Sequence, residues 1–198
     1  MTAIAYIHGF NSAPNTKTFI GLKERLPDLH VVSLEYDYIN PDPAYLNLLA
    51  QAEELLTEDP DIVFVGTSLG GFWAHKLSVR FNATCVLVNP SIHPCVSLQK
   101  YIGDNVNYST SEIKTLTKSN CDSYKKYEED VNLFIPRSRT VVVLGMKDDV
   151  LDPSETEAFF KDAAEIIKIE DMGHRVENIE LLINIINSTL DNITDERL

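Results

Sequence analysis

A chain of 198 residues, 44% hydrophobic and 24% charged, has the size and composition of one globular domain that buries its core without disulfide or metal staples. Its 17 basic and 30 acidic side chains give a formal charge of −13, which speaks against a nucleic acid or an anionic membrane surface as partner, because phosphates are met with Lys and Arg. No apolar run has the length of a transmembrane helix. Cys85, Cys95 and Cys121 are odd in number and irregular in spacing, so they make neither a disulfide framework nor a zinc site. The opening residues lack a basic stretch and a signal-peptide core, and together these features predict a cytoplasmic protein.

Taken in chain order, apolar runs alternate with helical patterns. Residues 3–7 read as a short buried strand that ends at His8-Gly9. Residues 16–26 carry Phe19, Leu22 and Leu26 at helical spacing, and Pro27 stops them. Residues 30–34 are a second strand. Asp42-Pro43 opens a helix with Asp as N-cap, and its apolar stripe is Tyr45, Leu46, Leu49, Ala52, Leu55 and Leu56. Residues 62–65 are a third strand running into Gly66, and a helix extends from Ser68 to about Phe81. Residues 84–88 form a fourth strand closed by Asn89-Pro90.

The stretch from about 94 to 136 has weak periodicity and several tyrosines. A structureless loop of that length is unusual, so short helices forming a cap are expected there. Residues 140–144 are a fifth strand. Asp152-Pro153-Ser154-Glu155 has the cap, proline and acid of a helix start. Residues 166–169 are a sixth strand, and Ile179, Leu182, Ile183, Ile186 and Leu190 mark a C-terminal amphipathic helix. The pattern predicts an α/β protein of one domain over 1–198, with a mostly parallel sheet of about six strands and helices on both faces.

Gly66-Thr67-Ser68-Leu69-Gly70 matches G-x-S-x-G between a strand and a helix. That is the setting of a nucleophile elbow, where a sharp turn lifts a serine hydroxyl out of the sheet. A glycine-rich turn with Ser68 as an ordinary helix N-cap explains the same five residues. A serine nucleophile needs a base. His174, in Asp171-Met172-Gly173-His174 after the last strand, stands where this topology places one. His75 lies seven residues into the elbow helix, out of reach of Ser68, and His30 and His93 read as structural or surface residues.

The base needs an orienting carboxylate. Asp148, Asp149 and Asp152 compete in the loop after the fifth strand. Asp152 is explained as a helix cap. Asp148, two residues before Val150, fits the hydrolase spacing best, with Asp149 as the alternative. Two N–H donors should face the developing oxyanion. The backbone N–H of Leu69, after the nucleophile, is one. The N–H of Phe10, in His8-Gly9-Phe10-Asn11-Ser12 after the first strand, is the candidate for the second, with His8 bracing that loop.

The segments Ile4-Ala5-Tyr6-Ile7-His8-Gly9-Phe10-Asn11-Ser12, Gly66-Thr67-Ser68-Leu69-Gly70-Gly71, Val88-Asn89-Pro90 with Pro94, Tyr101-Ile102-Gly103, Asp148-Asp149-Val150-Leu151-Asp152 and Gly173-His174 resemble, in order, the YqiA-like small α/β-hydrolases, a family of bacterial esterases. The resemblance implies an α/β-hydrolase fold that lacks the usual first two strands. It implies activity on short acyl esters and acyl-CoA thioesters, and Asp148 as the triad acid. Two places depart from the family pattern: Lys147 stands where a Gly usually precedes the acid, and Asp171-Met172-Gly173 where Gly-Gly-Asx usually precedes the histidine.

The residues thus predict a serine hydrolase for a small acyl ester or thioester, working through Ser68, His174 and Asp148, with no cofactor or metal. A binding protein that has lost turnover, and an amidase or peptidase on the same scaffold, are the competing readings.

Overall fold

Strands built from near-continuous Val, Ile and Leu must be covered on both faces, and that demand sets the architecture. The computed structural model of the chain describes residues 2–128 and 139–195. The N-terminal part runs β1 (Thr2–Ile7), α1 (Lys17–Arg25), β2 (His30–Leu34), α2 (Pro41–Glu58), β3 (Asp61–Thr67), α3 (Leu69–Phe81) and β4 (Thr84–Val88). An insertion follows with α4 (Pro94–Ser97), a short 3-10 turn, β5 (Gly103–Val106), β6 (Ile113–Leu116), α5 (Lys118–Ser123) and α6 (Lys125–Glu128). The chain then returns to the sheet through β7 (Thr140–Gly145), α7 (Pro153–Phe160), β8 (Glu165–Ile169) and α8 (Ile179–Asp195).

Six strands make one sheet in the order β2-β1-β3-β4-β7-β8, with every neighbouring pair parallel. Strand alternation splits the core in two. Ala3, Ala5, Ile7, Phe64, Leu87 and Val142 face the layer of α2 and α3, where Leu48, Ala52, Trp73 and Leu77 meet them. Ile4, Tyr6, Val63, Val65, Val86 and Val143 face α1 and α8, packing on Leu22, Leu182, Ile183 and Ile186.

The order places a topological switch between β1 and β3, because the chain leaves β1 for one edge and later returns to its other side. Ligands of open parallel sheets sit beyond the strand C-termini at such a point. Register pairs Ile7 with Gly66, so the loop after β1 and the elbow after β3 are neighbours.

Three local expectations change. α2 begins at Pro41 with Asn40 as N-cap, two residues earlier than the Asp42-Pro43 signal. The fixed φ of Pro41 suits the first helical turn. Asp42, freed from capping, accepts a 2.7 Å hydrogen bond from the Tyr127 hydroxyl and pairs with Lys126. The buried stripe of α2 is Ala44, Leu48, Ala52 and Leu55, while Leu46 is 67% exposed. The insertion holds an antiparallel hairpin, β5 on β6, besides its short helices. Polar alternation in Gly103-Asp104-Asn105-Val106 hid that strand. Residues 129–136 of the expected cap lie outside the described residues.

α3 meets the sheet with almost no clearance. A Cβ on Gly70 would collide with the backbone carbonyls of Ile7 and His8. Neither can retreat, because Ile7 ends a central strand and His8 follows it directly. Gly70→Ala should therefore cost about 1–3 kcal/mol through overpacking, read as a lower denaturant midpoint with an unchanged slope.

Candidate active site

The elbow begins where β3 ends. Ser68 has φ 55° and ψ −122°, a left-handed conformation that costs an L-residue of order 1–3 kcal/mol. The surroundings hold it there. Its N–H donates to the Val88 carbonyl at 3.0 Å, and its own carbonyl accepts from Ser91 N–H at 3.0 Å and Gly71 N–H at 2.9 Å. A Cβ on Gly66 would strike the Gly70 carbonyl, so the turn closes only over glycine. Ser68 stands at the N-cap position of α3, yet its side chain makes no capping bond. The hydroxyl is held out of the helix and lines a pocket. A serine whose purpose is capping would bond the N–H groups of the first turn.

The loop after β1 comes up beside it. A Cβ on Gly9 would lie 3.2 Å from Ser68 Cβ. His8 is buried between Tyr36 and Tyr38, with ring centroids 4.7 and 6.5 Å away. Burial lowers its pKa to about 4, so the ring is neutral near pH 7. Its Nδ1–H donates to the Gly9 carbonyl at 2.9 Å, and the Tyr36 hydroxyl donates to the His8 carbonyl at 2.8 Å. A peptide's C=O and N–H point in opposite directions, so this bond fixes the Gly9–Phe10 plane. Among the described residues no acceptor takes the Phe10 N–H. The first N–H groups of a helix have no partner inside it, which leaves Leu69 N–H available as well. Phe10 and Leu69 both line the pocket.

His174 arrives on the loop after β8. Its Nδ1 donates to Asp148 Oδ2 at 2.8 Å, with the Asp148 side chain only 2% exposed. The other Asp148 oxygen accepts from Val150 N–H at 2.8 Å and Leu151 N–H at 3.0 Å. Burial pushes this carboxyl up, but the His174 hydrogen bond and the two backbone donors outweigh it and hold its pKa below the ordinary 3.8. Asp149 is exposed and turns to the pocket rim instead. Ser68 and His174 line the same pocket, and no hydrogen bond joins them among the described residues. Such bonds are often long before substrate arrives.

Asn89 ties these loops together, and sequence reasoning missed it. It follows β4 with φ 42° and is buried. Its amide nitrogen donates to the carbonyls of Gly173 and His174, both at 3.0 Å. Its amide oxygen accepts from Gly145 N–H at 2.7 Å. One side chain thus joins the end of β7, which leads to Asp148, to the loop carrying His174. Its signals in sequence are an Asn at a strand end, where it reads as a turn residue, and the Val88-Asn89-Pro90 block of the YqiA-like resemblance, and neither gives it a role. Lys147 and Asp171, the two departures from the YqiA-like pattern, also meet across these loops, in an exposed ion pair at 2.5 Å.

The pocket has a volume of about 800 Å³. Of the tyrosines in the insertion, Tyr101 and Tyr108 line it. Tyr124 is buried against Phe72 and Trp73, and Tyr127 packs on Tyr45 and Trp73. The β5–β6 hairpin is fastened to the loop after β1: Tyr108 N–H donates to the Asn11 carbonyl at 2.9 Å, and the Asn107 amide donates to the Ser12 carbonyl at 2.8 Å.

A model of the uncharacterised protein family UPF0227 matches residues 3–190. The chain belongs to the UPF0227 family. A UPF0227 protein of Klebsiella pneumoniae and YcfP of Salmonella gallinarum are each 26% identical to it over 180 residues, spanning 89% of this chain and 92% of theirs. Among solved structures, Est1E from Butyrivibrio proteoclasticus superposes with a TM-score of 0.74 at 17% identity, over 97% of this chain and 88% of its own. Alpha/beta hydrolase domain-containing protein 10 from mouse gives 0.71 at 16%, over 96% and 90%. These likenesses are of fold, and the fold of this UPF0227 chain is that of the α/β-hydrolases.

Two measurements probe the site without substrate. Asn89→Ala leaves one buried N–H and two carbonyls without their partner, and should cost about 1–3 kcal/mol in chemical denaturation. Because folding lowers the Asp148 pKa, its contribution to stability is full above 3.8 and fades as pH falls through the folded value. Asp148→Asn should therefore show a shallower loss of stability than wild type between about pH 5 and pH 2.

Proposed function

We propose that this UPF0227 chain is a serine hydrolase that cleaves a small carboxylic ester or thioester through an acyl-enzyme. The observation that carries the reading is that His174, bonded to the buried Asp148 carboxylate, lines one pocket with a serine held in a strained turn and spared from capping.

His174 takes the Ser68 proton as the Ser68 oxygen attacks the acyl carbon. Asp148, bonded to Nδ1, leaves Nε2 as the basic nitrogen and stabilises the imidazolium that forms. The N–H groups of Phe10 and Leu69 receive the oxyanion. His174 then protonates the leaving alcohol or thiol, and water, activated by the same imidazole, releases the acid and restores Ser68. Residues 94–128 act as a cap on a single domain and present Tyr101 and Tyr108 to the acyl group. Three cysteines without disulfides favour a reducing compartment, the cytoplasm.

Wild-type protein should hydrolyse p-nitrophenyl butyrate and be labelled by a fluorophosphonate. Ser68→Ala should lose at least about 10⁴-fold in turnover and all labelling, while keeping its melting temperature. A wild type that is not labelled, or an active Ser68→Ala, overturns the assignment.

A further inference from the structure

The charge around the pocket runs against the charge of the chain. The chain carries −13 overall, yet Lys17, Lys100 and Arg175 all line this pocket. They come from three places: the first turn of α1, the 3-10 turn after α4, and the residue after His174. Among the described residues none of the three has a carboxylate within ion-pair distance. That is unusual company, since most lysines elsewhere, such as Lys114, Lys118, Lys126, Lys147 and Lys168, are paired with acids.

Two of the cations are held by groups that leave their charge uncompensated. Arg175 stacks over the Tyr108 ring, 5.2 Å from its centroid. Lys100 lies 5.4 Å from the Tyr101 centroid and donates one N–H to the Val150 carbonyl at 2.7 Å. Aromatic faces and carbonyls orient a cation without neutralising it. Lys17 adds its charge at the positive end of the α1 dipole. The Thr16 hydroxyl caps only Phe19 N–H, so the N–H groups of Lys17 and Thr18 have no acceptor among the described residues. Asp149 and Glu177 also face the pocket, so its formal charge stays positive, in a molecule where acids outnumber bases.

We infer that the substrate of this site carries a carboxylate besides the scissile ester or thioester, and that Lys17, Lys100 and Arg175 receive it. This rests on the reading of Ser68 as the nucleophile. A cationic mouth of this kind raises the local concentration of an anion and orients it before chemistry.

The test compares acyl groups of equal length: p-nitrophenyl hexanoate and the mono-p-nitrophenyl ester of adipic acid, whose far end is a carboxylate. A second pair, p-ethylphenyl butyrate and p-carboxymethylphenyl butyrate, moves the charge to the leaving group. In one of the two pairs kcat/KM should favour the anionic ester by about tenfold, the sum expected of three exposed cations. Lys17→Gln, Lys100→Gln and Arg175→Gln combined should bring that ratio towards one. So should salt near 1 M, where the screening length falls to about 3 Å. Ratios near one for both pairs in wild type, or a preference that survives the triple change, overturn the proposal.

Binding separates this outcome from a failure of the catalytic reading. If wild type hydrolyses no ester, calorimetry of Ser68→Ala with the four esters still reports the charge preference, and its loss in the triple variant.

Discussion

The close crossing of α3 over the end of β1 is the constraint on which the rest of the structure depends. β1 and β3 are adjacent parallel strands, and the helix that follows β3 must start directly above the Ile7 and His8 carbonyls. Only a residue without a side chain fits at position 70, and only glycine at 66 lets the turn close beneath it. The turn thereby forces Ser68 to a positive φ and brings it against Gly9 on the neighbouring loop. A strained serine set against the loop after β1 is thus a consequence of one packing contact.

The other half of the site is assembled from the far side of the sheet. Asp148 follows β7 and His174 follows β8, and parallel pairing brings the ends of these strands side by side. Loops so placed still need a fixed separation. Asn89, from the next strand over, supplies it with three hydrogen bonds to backbone groups of both. A buried amide with all these partners satisfied is rigid, because any displacement leaves polar groups unpaired out of water. The Lys147–Asp171 pair on the rim, being exposed, adds little to this.

The insertion links the two halves. Its hairpin is bonded to the loop after β1, and Lys100 reaches the Val150 carbonyl in the acid loop. Tyr101 packs on Phe10, with centroids 5.2 Å apart. The pocket is therefore lined both by rings, from Phe10, Tyr101 and Tyr108, and by the cations Lys17, Lys100 and Arg175.

Much of this was legible in residue order. Periodicity and turn residues predict all six sheet strands and the major helices to within a few positions, because buried strands and amphipathic helices write their packing directly into the apolar pattern. The placement of Ser68, the Asp148–Asp149 loop and His174 at strand ends follows from the same alternation. Other features depend on partners distant in sequence. Spacing favours Asp148 over Asp149, but only the direction of the loop brings Asp148 to His174 and Asp149 to the pocket. Asn89 reads as a turn residue because its partners lie more than fifty residues away. Tyr101 and Tyr108 differ from Tyr124 and Tyr127 only in which side of the insertion they face. Sequence by itself determined the alternation of elements and the residues able to do chemistry. Tertiary structure alone decided which of them meet, because hydrogen bonds and ion pairs form over a few ångströms of space, regardless of separation along the chain.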